Sequence, residues 1–85
     1  MLRDWKDITS YSRGAKGLPR TWEWRGTKLR VVVTRHIDDP KRWFLICHEL
    51  GVELVPLASV EKEDAWVEAI DKLRAIVEAF RQDLL

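Results

Sequence analysis

The hydrophobic pattern changes period along the chain. From Thr21 to Arg25, Trp22 and Trp24 stand two apart and share one face of an extended segment. Gly26-Thr27 then reads as a tight turn. Lys28–His36 carries the β-branched run Val31-Val32-Val33-Thr34, the strongest strand signal present. Its alternation sets Leu29, Val31 and Val33 on a core face, with Arg30, Val32, Thr34 and His36 on the exposed one. Asp38-Asp39-Pro40 is a turn. Arg42–His48 follows as a strand that is apolar on both faces, which places it centrally in a sheet. After a turn at His48-Glu49-Leu50-Gly51, Val52–Leu57 forms a further strand. Pro56 cannot donate a ladder hydrogen bond, so this strand lies at an edge or ends there.

The period then lengthens to that of a helix. Trp66, Ile70, Leu73, Val77, Phe80 and Leu84 recur at alternating spacings of four and three, and Ala65, Ala69 and Ile76 widen the stripe. The predicted helix runs from about Val60 to about Asp83, with Ser59 as its N-cap and Glu61, Glu63 and Asp64 at the positive end of its dipole. Ahead of the sheet, residues 1–19 are polar and rich in turn formers. They read as a basic arm, with one helical turn over Arg3–Ile8. The expected fold is α+β: a single domain in which three or four antiparallel strands (residues 20–57) pack against one long C-terminal amphipathic helix (residues 59–83).

Size and composition narrow the class. Eighty-five residues make one core, and 46% hydrophobic with 34% charged residues is the balance of a globular domain. One cysteine allows no internal disulfide. The longest unbroken apolar run is Trp43-Phe44-Leu45-Ile46-Cys47, too short for a membrane span, and Met1–Asp7 has no signal-peptide core. A cytoplasmic protein with no membrane contact is expected.

The formal charge of +1 hides an asymmetry: residues 1–43 carry net +6 and residues 44–85 net −5. A basic sheet face and arm with interleaved aromatic rings suit phosphate neutralisation and base stacking. Exposed Trp and Arg equally suit a protein interface. For either partner the candidate binding residues are Arg13, Lys16, Arg20, Arg25, Lys28, Arg30 and Arg35, with Trp22 or Tyr11 as the aromatic element. Trp22 and Trp24 go to the core if their strand packs under the helix; Trp43 and Trp66 are expected there.

Catalytic and metal chemistry find little support. Cys47 and His48 are adjacent on a strand and point to opposite faces, so they cannot act as nucleophile and base. Cys47 reads as a small buried apolar residue. His36, Cys47, His48 and Glu49 lack zinc-ligand spacing. His36 with Asp38 and Asp39 reads as a hydrogen-bonded turn. No cofactor, no metal and no enzymatic activity are expected. Surplus apolar surface on Val67, Leu84 or Leu85 admits a homodimer.

The hairpin into Trp43-Phe44-Leu45-Ile46-Cys47-His48-Glu49-Leu50-Gly51, then Ser59, Glu63-Asp64-Ala65 and Glu68-Ala69-Ile70, resembles the HicB-type antitoxin domain, a partial ribonuclease-H-like fold. The likeness spans residues 31–80. The order of three strands and a helix is also similar to the arm-binding domain of phage-type integrases, which docks its sheet in the DNA major groove. Both resemblances imply a non-catalytic recognition module. The leading expectation is nucleic-acid contact. The alternative is a protein–protein module, such as an antitoxin-like or phage- or mobile-element-encoded inhibitor of another protein.

Overall fold

The computed structural model describes residues 5–9, 20–36 and 38–85. Five strands, β1 (Lys6–Asp7), β2 (Thr21–Arg25), β3 (Arg30–Arg35), β4 (Trp43–Cys47) and β5 (Val52–Leu57), form one antiparallel sheet in chain order. A single 3₁₀ turn (His48–Leu50) joins β4 to β5, and the helix α1 (Lys62–Asp83) follows. Short connections between successive strands make the meander the natural topology. The α+β class and the C-terminal helix agree with the sequence pattern; the strand count is five instead of three or four.

The additional strand is β1, within the segment read as a helical turn. Two residues are too few to show a period. What holds β1 is side-chain chemistry. The Trp5 ring stacks on Trp66 of α1, with centroids 5.3 Å apart and planes 9° apart. Thr9 clips the following residues to β2: its hydroxyl oxygen accepts the backbone N–H groups of Arg20 (2.7 Å) and Thr21 (2.9 Å).

One face of the sheet is buried under α1. Trp22, Val33, Leu45 and Val55 align across four strands, and Val31, Trp43, Cys47, Val52 and Leu57 extend the same layer. From the helix, Ala65, Ala69 and Leu73 are buried against it. The two alanines let the helix backbone approach the sheet closely, while Trp66, Ile70 and Ile76 pack at its flanks. The Trp43 indole N–H donates to the Val60 carbonyl at 2.7 Å, tying the core to the β5–α1 connection.

Ser59 does not cap the helix. The N-cap position is Glu61, which makes no side-chain cap bond. The Ser59 hydroxyl donates instead to the Glu68 carboxylate at 2.7 Å, and the amides of Ala58 and Ser59 donate to the same group. The turn before the helix is thus fastened one and a half turns further along. Burial raises the Glu68 carboxyl, but these hydrogen bonds and the Lys72 ammonium outweigh it and hold it below the usual carboxylate range.

Helix and sheet differ in length. Twenty-two residues span about 33 Å of helix, whereas strands of five or six residues span roughly 17–20 Å. Beyond Leu73 no helix residue is buried. The molecule is correspondingly long, 52 × 25 × 25 Å.

Two outcomes test this account. Leu45→Ala lowers the unfolding free energy by about 2–5 kcal/mol, and Phe80→Ala by less than about 0.5 kcal/mol in dilute protein, read from urea denaturation. The Glu68 carboxyl is lower in the folded state than in the unfolded one. Its contribution is therefore complete above the ordinary Glu pKa of about 4.3 and is lost as the pH falls through the depressed folded value. Glu68→Gln makes the acid limb of the melting-temperature profile shallower; an unchanged limb would show that the Ala58–Ser59 bonds contribute nothing.

Candidate functional site

The face of the sheet turned away from α1 has no described element packed on it. Alternation places two cross-strand rows there. One is Lys6–Glu23–Val32–Ile46 and the other Thr21–Thr34–Phe44–Pro56. Arg25 and Arg30 are paired beyond the first row, at the β2–β3 turn. The centre of this face is apolar: Val32, Phe44 and Ile46 lie on adjoining strands, and the His36 ring tilts against Phe44 with centroids 6.0 Å apart. Strand β4 explains it. Trp43, Leu45 and Cys47 serve the helix side, while Phe44 and Ile46 are equally apolar on the other. An antiparallel strand with one solvated face ordinarily alternates apolar and polar residues.

The edge strand β5 adds a strained residue. Leu45 pairs with Val55 and Cys47 with Val52, so Ile46 faces two residues, Glu53 and Leu54, in a bulge. Leu54 has a φ of +46°, the left-handed region that a side chain with a Cβ enters at a cost. It is 61% exposed, so no core packing compensates that cost. Bulges and such strain concentrate where a strand edge must re-aim a side chain.

Ion pairing organises the rim. The Glu23 carboxylate accepts from Arg30 Nε and lies 3.6 Å from Arg25 Nε. The hydrogen bond from Arg30, with the charges of Arg30, Arg25 and Lys6, holds the Glu23 carboxyl below the usual range against the opposing effect of burial. The Arg30 amide also donates to Glu49 at 2.7 Å. Lys28 stands exposed in the β2–β3 turn.

Among the described residues, the basic candidates named from the sequence fall into two groups. Tyr11, Arg13 and Lys16 lie outside the described residues. Arg25, Lys28 and Arg30 gather at the β2–β3 turn. Arg20 and Arg35 meet at the other end of the same strands, where the Arg35 amide donates to the Arg20 carbonyl at 2.8 Å. Some 17 Å, roughly five residues of strand, separates the two groups. Arg35 is moreover on the helix side, because it has the parity of Val31 and Val33. Its guanidinium lies 4.5 Å from the Trp43 ring centroid, and its Nε is buried without a partner.

Trp22 is likewise on the helix side. It meets Trp66 edge-on at 5.1 Å, under the Lys62 ammonium at 4.7 Å. The aromatic element expected on a basic sheet face is thus packed against the helix. Each Trp–Trp contact contributes about 0.5–1.5 kcal/mol beyond area burial, which makes this cluster a structural fastening. Of the residues on the open face, Arg25 and Arg30 were candidates, whereas the apolar pair Phe44 and Ile46 was not. Their signal was the missing alternation of β4.

Other chemistry is sparse. The Cys47 thiol is fully buried, and burial raises its pKa. The His36 Nδ1 accepts the Asp38 amide at 3.0 Å, and Asp39 accepts the Lys41 amide, forming a hydrogen-bonded turn. Among the described residues no cluster of three His, Cys, Asp or Glu side chains could hold a metal. No helix among them is long and apolar enough to cross a membrane. No family model matches the chain, and neither does any curated protein or solved structure.

Leu54→Gly removes the Cβ penalty at φ +46° and raises the unfolding free energy by about 0.5–1 kcal/mol. Chemical denaturation checks it; a loss of stability would mean that the Leu54 side chain is held by packing.

Proposed function

We propose that the protein is a non-catalytic module that binds another protein through its open sheet face. The observation that carries this reading is the pair Phe44 and Ile46, apolar on the side that α1 cannot reach, with Leu54 and Pro56 exposed beside them. A solvated sheet face has no need of two large apolar residues at its centre, and contiguous apolar patches with polar rims mark interaction sites. Lys6, Arg25, Lys28 and Arg30 rim this patch together with the carboxylates of Glu23, Glu49 and Glu53. Its complement is therefore a protein surface apolar at the centre, with acidic groups where it meets Lys6 and Lys28. An antitoxin-like or inhibitory role falls within this class, in line with the resemblance of residues 31–80 to the HicB-type domain.

Nucleic-acid binding is the second reading. The Phe44 ring beside a partly basic rim favours it, since an aromatic ring can stack a base. Against it, Arg25 and Arg30 are committed to Glu23, which reduces the counterions a phosphate backbone could release.

Ile46→Lys separates the two. In affinity capture from the producing cell, the wild-type chain retains a stoichiometric protein partner, and Ile46→Lys loses it with an unchanged circular dichroism spectrum. Partner affinity falls as salt rises, because the rim attraction is screened. The opposite pattern is nucleic-acid binding that weakens steeply with salt and tightens when Glu23→Gln frees the two arginines. That outcome would replace the protein partner with a nucleic acid.

A further inference from the structure

The helix carries a second uncovered apolar surface, remote from the open sheet face. The stripe Ile70, Leu73, Val77, Phe80, Leu84 keeps a strict alternation of three and four, the seam of a two-helix contact. Its first part rests on the sheet. Its second part outruns it: Val77 is 45% exposed, Phe80 54% and Leu84 87%. Where the two parts meet, a groove of about 450 Å³ opens between α1 and the β2–β3 turn, lined by Trp24, Leu29, Ile70, Leu73, Arg74 and Val77. Gly26 lets the Trp24 ring of this lining fold over the β2–β3 turn, because a Cβ there would come within 3.1 Å of the ring.

We infer that two copies of this chain associate through this surface, with their α1 helices antiparallel and crossing at Val77. A two-fold contact requires one patch that carries both projections and recesses. This patch does: the groove lies one to two turns before Val77, and Phe80 and Leu84 lie one to two turns after it. With Val77 on the axis, Leu84 of each copy falls opposite Ile70 of the other, at the groove. Phe80 falls opposite Arg74, whose exposed guanidinium can cover the ring.

The available area agrees with a reversible dimer. Val77, Phe80 and Leu84, exposed at 45%, 54% and 87%, and the groove rim make a contact at or below the lower end of specific interfaces, about 1,200 Å² for the pair. So small a contact makes a weak, reversible dimer. Charge at the edges is mildly adverse. Arg74 of one copy approaches Arg81 of the other, each already paired with a carboxylate of its own helix, Asp71 at 3.8 Å and Glu78 at 3.0 Å. Salt therefore leaves this association unchanged or strengthens it, opposite to the sheet-face contact.

Sedimentation equilibrium from low micromolar to near-millimolar protein tests the inference. The expected result is a monomer–dimer equilibrium that does not weaken with salt. Phe80→Glu with Leu84→Glu shifts it at least tenfold toward monomer without changing the circular dichroism spectrum. Two cysteine variants test the arrangement. Val77→Cys forms an interchain disulfide under mild oxidation because the position sits on the axis. Leu84→Cys does not, since in the antiparallel pair its two copies stand about 21 Å apart. A monomer throughout, a dimer indifferent to the glutamate pair, or equal cross-linking at both positions would overturn the proposal. Partner capture through Ile46 is read on dilute monomer, so either interface can fail without the other.

Discussion

One helix can cover one face of a sheet over the length of its strands, and this limit shapes the molecule. Ala65 and Ala69 bring α1 close to the sheet, and Trp43, Leu45 and Cys47 fill the space beneath. The far side of β4 and the last turns of α1 are beyond the reach of that single contact. Both are nevertheless apolar. A domain of this size buries only about 60% of its unfolded surface. Its stability therefore rests on one dense layer, reinforced by the stacking of Trp5 and Trp22 around Trp66.

The elements with a repeating pattern were legible in the residues. The run Val31-Val32-Val33 and the stripe from Trp66 to Leu84 announce a strand and a helix, because each repeats its period several times. Features that depend on a single tertiary contact were not. β1 exists through Trp5 on Trp66 and the Thr9 hydroxyl, neither of which has a local signature. Ser59 has the residue type and position of a cap, but the Glu68 carboxylate, nine residues on, competes for its hydroxyl and takes it.

The placement of the charges was hidden for a related reason. Net charge over half a chain says nothing about which side of a strand each charge occupies. Arg30 and Arg35 are five apart, so alternation sends them to opposite faces and strand length to opposite ends. The same parity puts Trp22 under the helix with Arg35. Phe44 and Ile46 could have been found by the same arithmetic. The absence of alternation in β4 fits a central position in the sheet, and it fits equally a sheet with something on both sides; β4 has a neighbour on each edge, and Phe44 and Ile46 on its far side are half-buried with no described element packed over them.

The local strain supports the view that this face is shaped for contact. A bulge in an edge strand deters indiscriminate pairing with other strands, and Pro56 has the same effect by removing a donor. Glycine at position 54 would adopt this left-handed backbone at lower cost, as Gly51 does at the end of the 3₁₀ turn, at φ +70°. Leucine there gives up stability to hold an apolar side chain in solvent, next to Phe44 and Ile46. Such a side chain contributes nothing to the monomer's core, and it becomes favourable only when another surface removes it from water. The cost of Leu54 and the missing alternation of β4 thus have one explanation under the proposed function: a partner's surface would supply the second layer of this sheet.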